Sequence, residues 1–91
     1  MDTPATPQRE TLRTTERHSA ALAIATDGRL VRAEPDGRRV IFVIENALAD
    51  LETLIALDEL HVSAKKVLEG FKTVDRIIYD FKKREQRGPR A

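Results

Sequence analysis

The chain contains no cysteine. A disulfide framework and a thiolate metal site are both excluded. Serine and histidine are nearly as scarce: Ser19, Ser63, His18 and His61 are the whole stock. A nucleophile–base pair would have to come from these four, and their spacing offers none, because neighbours such as His18 and Ser19 do not face each other on a helix. There is no His-x-x-x-His and no calcium-loop pattern. The four glycines, at 28, 37, 70 and 88, are too dispersed for a phosphate-cradling loop. Asp50 and Glu52 sit two apart on a predicted helix, so their carboxylates diverge, and Asp58-Glu59 reads as a solvated helix end. No apolar run approaches the roughly 18 residues of a membrane span. The N-terminus also lacks the basic segment and apolar stretch of a secretory leader. These absences predict a cytoplasmic protein with no catalytic residue, no metal and no cofactor, and with neither a membrane nor a small molecule as partner.

Ninety-one residues make one small domain. Pro4 and Pro7 mark residues 1–9 as a flexible tail, and Gly88, Pro89 and charge mark 85–91 as a flexible basic one. The domain is expected over 10–84, a size of about 75 residues at which a monomer is marginal and partnering helps. The net charge of +1 is unevenly placed. Residues 40–64 carry no Lys or Arg against Glu45, Asp50, Glu52, Asp58 and Glu59. Residues 82–91 carry Lys82, Lys83, Arg84, Arg87 and Arg90 against Glu85 alone.

The run Val40-Ile-Phe-Val-Ile44 is short and β-branched, so it reads as a strand. It is apolar on both faces, which requires cover on both sides and a place in the middle of a sheet. Before it, Arg29 to Glu34 reads as a strand with Leu30, Arg32 and Glu34 on one face and Val31 and Ala33 on the other. Glu34-Pro-Asp-Gly37 is the turn between them, with Pro35 presetting φ and Gly37 taking positive φ. The hairpin therefore spans about residues 29–45. Ser19 to Ala25 is rich in alanine, predicting a helix over Glu16 to Thr26, capped by Thr15 and stopped by a left-handed Gly28. Glu10 to Thr14 is the candidate for an extra strand. If it pairs beside Val40–Ile44, that run is central in three strands; if not, a second subunit must supply the missing edge. Asn46 is the expected N-cap of a helix over Ala47 to Leu60, with Leu48, Leu51, Leu54 and Ile55 on one side. Ser63 is the expected cap of a last helix over Ala64 to Arg84. The fold class is thus α+β, a small antiparallel sheet with three helices in the order β-α-β-β-α-α.

The last helix carries two surfaces. Val67, Phe71, Val74, Ile78 and Phe81 form a heptad-like seam, widened by Leu68 and Ile77. The seam serves either packing within the domain or contact with another copy, and Gly70 allows close approach at a helix cost of about 1 kcal/mol. Lys65, Lys72, Arg76, Tyr79 and Lys83 fall opposite the seam, and Lys82, Arg84 and Arg87 continue the basic character into the tail. Basic groups neutralise phosphates and an aromatic among them stacks on a base, so these eight are the candidate nucleic-acid contacts. Glu69 and Asp80 interrupt that face, and Arg76 and Asp80 are spaced for an i,i+4 pair. Arg29, Arg32, Arg38 and Arg39 on the hairpin either extend the basic surface or guard a sheet edge.

Thr15-Glu16, Ala20-Ala21-Leu22, Gly28, Arg39-Val-Ile-Phe-Val-Ile-Glu45, Val62-Ser63 and Ile78-Tyr79 form a recurring pattern. It resembles a small α+β domain family of unknown function found in bacterial, phage and mobile-element genomes. Members of that family show an alanine-rich helix ending in Gly and a strand reading Arg-Val-x-Phe-x-Phe-Glu. Ile44 departs from the usual aromatic and Glu16 from the usual Asp. The resemblance implies a helix rather than a hairpin before Gly28, and it carries over no catalytic residue. The function expected is a non-catalytic protein-interaction module, a homodimer or a small subunit of a larger assembly. The alternative is a nucleic-acid-binding accessory protein.

Overall fold

A computed structural model describes residues 8–86, with side chains through Arg84. The elements run β1 (Arg9–Thr14), α1 (Arg17–Ala25), β2 (Arg29–Asp36), β3 (Arg39–Leu48), α2 (Leu51–Ala56) and α3 (Ala64–Gln86). The fold is α+β in the expected order, and most of both expected tails, including Arg87, lies outside the described residues. The sheet order is β1-β3-β2, antiparallel throughout, so the doubly apolar run is the central strand. The candidate strand before α1 is real and supplies the second edge from within the same chain.

Two bulges decide which side chains face the core. On β2, Leu30 pairs with Ile44 but Arg32 pairs with Val43, leaving Val31 as an extra residue. The parity shift puts Leu30 and Ala33 on the inner face and turns Arg32 and Glu34 outward, correcting the strict alternation expected from sequence. On β3, Glu45 and Asn46 together oppose Thr11, and Asn46 adopts φ 61°. The bulge carries the inner face from Phe42 and Ile44 on to Ala47, all of which are buried. Asn46 is therefore not a helix cap. Its left-handed backbone sits inside a strand that runs to Leu48, and its Nδ2 donates to the Asp27 carbonyl at 3.2 Å. The helix expected over 47–60 shortens to Leu51–Ala56 with Asp50 at its N-cap.

The hairpin turn is tighter than expected. Pro35 and Asp36 stay in the ladder opposite Val40 and Arg39, and Gly37-Arg38 is a two-residue loop. Gly37 has φ 63° while Arg38 does not have positive φ, the signs of a type II′ turn. Pro35 is tolerated because β2 is an edge strand.

Both α1 and α2 end in the same way. Gly28 N donates to Ala23 O at 2.8 Å and Asp27 N to Ile24 O at 3.2 Å; Glu59 N donates to Leu54 O at 2.8 Å and Asp58 N to Ile55 O at 3.1 Å. These are Schellman pairs, with Asp27 (φ 78°) and Asp58 (φ 58°) as the left-handed residues. Gly28 is thus not the left-handed stop that the sequence suggested. It is glycine for space: a Cβ there would stand 2.6 Å from Ala23 O and 2.8 Å from Ile44 Cγ2. At the start of α1 the N-cap is Glu16 rather than Thr15, with no side-chain cap bond, and the Thr14 hydroxyl accepts from Glu16 N at 3.0 Å. Ser63 does cap α3, accepting from Lys66 N at 3.2 Å.

The core is layered as sheet, α1, α3. Ala20, Ala21, Ala23, Phe42, Ile44, Ala47, Leu51 and Val74 form one buried cluster. A helix buried between two layers must be apolar all round, and small residues let both neighbours come close. Gly70 of α3 extends that logic, since a Cβ there would overlap the Ala21 carbonyl oxygen of α1.

Candidate functional site

The charges divide into two sets. Among the described residues four ion pairs form: Arg13–Glu34 at 2.8 Å, Arg17–Asp75 at 2.6 Å, Arg29–Glu45 at 2.6 Å and Arg32–Glu34 at 2.6 Å. Arg13 and Arg32 stand opposite Val43 from the two edge strands and converge on Glu34. Their aliphatic stems explain why Val43, on the sheet face away from the helices, is only 3 % exposed. The bonds from Arg32 and then Arg13 hold the Glu34 carboxyl below its ordinary pKa. Arg17 clasps Asp75 with two bonds, at 2.6 and 2.8 Å, while stacking 4.6 Å from the Phe71 ring centroid. That contact lowers the Asp75 pKa and raises that of Arg17. Arg9 bridges the Thr26 and Asn46 carbonyls at 2.7 and 3.1 Å. These arginines hold strands and helices together.

Arg38, Arg39, Lys82 and Arg84 belong to the other set, with no ion-pair partner among the described residues. They rim an open groove of about 950 Å³ between the hairpin end and the last turns of α3. Its floor is Ala33, Pro35, Val40, Ile78 and Phe81, and no acidic residue lines it. The type II′ turn places Arg38 and Arg39 there, and the phase of α3 puts Lys82 and Arg84 on either side of the Ile78–Phe81 ridge. Arg84 lies 5.6 Å from the Phe81 ring centroid, covering one end of the floor.

The five seam residues separate along α3. Val74 is fully buried, and Phe71 and Ile78 pack against the core cluster beside α1. Val67 is half-buried near the helix start, and Phe81 is half-buried in the groove floor. Leu68, expected to widen the stripe, is exposed. Among the candidate nucleic-acid contacts, Lys65, Lys72, Arg76, Tyr79 and Lys83 are exposed on the far side of α3, whereas Lys82 and Arg84 turn to the groove. No Arg76–Asp80 ion pair forms among the described residues. The hairpin arginines also split: Arg29 and Arg32 are paired, and Arg38 and Arg39 are not.

Ser19 is fully buried and its hydroxyl donates to the Glu52 carboxylate, tying α1 to α2. His18 and His61 are exposed. Among the described residues no cluster of three or more His, Asp or Glu is placed to hold a metal, and no helix is long and apolar enough to cross a membrane. Outside the groove, the Schellman turn after α2 presents Leu57, 60 % exposed, beside Asp58 and Glu59, with Asp58 near Leu22 of α1. The sequence marks Asp50, Glu52, Asp58 and Glu59 as an acidic surface on which the basic tail of another copy could dock, but a helix running to Leu60 hides the turn that exposes Leu57. The signal that marks it is the absence of any Lys or Arg over residues 40–64.

Comparison with known protein families, with curated proteins and with solved structures finds no match to this chain in any of the three.

Proposed function

We propose that this chain is a non-catalytic interaction module that binds an acidic partner in the groove between the hairpin and α3. The observation that carries the reading is the gathering of Arg38, Arg39, Lys82 and Arg84, none of them ion-paired among the described residues, around an apolar floor. Apolar floors give contact area, and a rim of one charge sign selects partners and speeds encounter. Supporting the non-catalytic part, Ser19 is occupied by Glu52 and sealed from solvent, while both histidines stand exposed. With the middle of the α3 seam packed against the chain's own core, partner binding is assigned to the groove, whose floor takes only the seam's last residues, Ile78 and Phe81.

A second reading rests on Tyr79, which is 59 % exposed on the basic far side of α3 with Lys72, Arg76 and Lys83. There a single-stranded nucleic acid would stack on the ring and run along the cations. Fluorescence anisotropy separates the two with labelled polyglutamate and labelled single-stranded DNA and RNA as probes. Under the groove reading, polyglutamate binds, and Arg38→Glu with Lys82→Glu abolishes binding while Tyr79→Ala does not. Oligonucleotide binding lost with Tyr79→Ala selects the second reading, and binding of no probe at low salt removes both.

A further inference from the structure

We propose that the groove's occupant is the acidic corner Leu57–Asp58–Glu59 of a second copy, so that copies associate head to tail. This rests on the groove reading above and names its partner. The two surfaces complement each other in kind. The groove offers an apolar floor under unpaired cations. The corner offers one exposed leucine, set off from α2 by the left-handed Asp58 and flanked by carboxylates. The turn is pinned by its two Schellman bonds, so little order has to be imposed on docking. The cationic rim would be repelled by any basic surface, and the segment 40–64 has no Lys or Arg.

Placement within the fold fixes the geometry of association. Arg39 opens β3 at the groove and Leu48 closes it just before α2. The groove is lined by β2, β3 and the last turns of α3, whereas Asp58 of the corner lies beside Leu22 of α1 with Ile55 and Leu60, and no residue lines both. A copy therefore cannot seat its own corner in its own groove. A contact between two different patches is heterologous and propagates into a chain or closes into a ring. The acidic middle and basic end of the sequence, far from mutual neutralisation within a copy, become the two halves of one contact between copies.

The test uses the full chain in sedimentation velocity over micromolar to submillimolar concentration, at about 0.05 M and about 0.5 M salt. Wild type is expected to associate beyond a dimer at low salt and to dissociate at high salt. A groove variant, Arg38→Glu with Lys82→Glu, and a corner variant, Leu57→Ser with Glu59→Gln, each alter exposed side chains, and circular dichroism checks that both fold. Each alone is expected to have its self-association weakened at least about tenfold. An equimolar mixture retains one intact groove and one intact corner, so it should stop at a 1:1 heterodimer. Wild type that stays monomeric at low salt, variants that associate like wild type, or a mixture that stays monomeric each overturn the proposal. Monomeric wild type that binds polyglutamate through Arg38 and Lys82 overturns self-docking while leaving the groove reading standing. Monomeric wild type that binds only single-stranded nucleic acid, or binds no probe, overturns both.

Discussion

Replacing Gly70 with alanine sets two effects of opposite sign against each other. Gly70 sits in the interior of a 23-residue helix, where alanine is favoured over glycine by about 1 kcal/mol. If α3 were free along this face, Gly70→Ala would stabilise by about that amount. The new Cβ, however, would overlap the Ala21 carbonyl oxygen, a backbone atom of a helix itself wedged against the sheet, so no rotamer change relieves it. The helices must separate, and Val74, fully buried one turn on, loses contacts. Overpacking of this kind costs about 1–3 kcal/mol. The overlap with fixed backbone places Gly70 at the upper end, leaving a net loss of about 1–2 kcal/mol. For a domain of this size that is a fall in Tm of about 4–8 °C per kcal/mol. Urea unfolding followed by far-ultraviolet circular dichroism reads the difference directly. Lys72→Gly on the exposed face supplies the propensity effect alone and should lose about 1 kcal/mol. A Gly70→Ala protein more stable than wild type would refute the close α1–α3 packing.

Three further outcomes follow from the geometry. At the end of α1, Asp27→Gly should stabilise by up to about 1 kcal/mol in the same urea assay, because it relieves a side chain held at φ 78°. Its neighbour should move the other way: Gly28→Ala destabilises through its contacts with Ala23 O and Ile44 Cγ2, although Gly28 has no positive φ, and an unchanged midpoint would contradict that packing. Acid should also weaken the fold. Asp75 and Glu34 have folded pKa values below their ordinary 3.8 and 4.5, so their contribution is complete above those values and is lost as pH falls through the lower folded ones. Tm measured from about pH 6 downward should therefore fall less steeply in Asp75→Asn than in wild type, with salt blunting the difference because both pairs are exposed.

The architecture was legible where one physical signal dominated. Val40–Ile44, apolar on both faces, required the centre of a sheet, and it lies there. Ser63 had no competitor as the α3 cap and holds that place. The readings that shifted did so where tertiary pairing outweighed a local preference. Asn46 looked like a helix cap because asparagine suits one, but it tolerates left-handed backbone equally well, and pairing with β1 uses that property for a bulge. The Asp27-Gly28 pair held two clues for one left-handed site. Close approach to Ile44, which no local pattern announces, claims the glycine and leaves Asp27 to take the positive φ. Alternation in β2 failed for the same kind of reason, since a one-residue bulge at Val31 exchanges the two faces.

The site divides along a similar line. Arginine count alone could not separate structural cations from available ones, because ion pairing is settled by strand register. Arg32 is committed because the Val31 bulge turns it outward beside Glu34, and Arg29 because it pairs opposite Glu45. Arg38 and Arg39 sit where the hairpin turns, and although Asp36 stands opposite Arg39 in the ladder, neither arginine closes an ion pair among the described residues. The outer face of the central strand makes the same point in reverse. The cover it required comes from two arginine stems drawn over Val43 by one glutamate, rather than from another subunit. The apolar strand that first suggested a partner is therefore satisfied at Val43 within the chain, and the proposed self-association rests instead on the basic groove and the acidic corner.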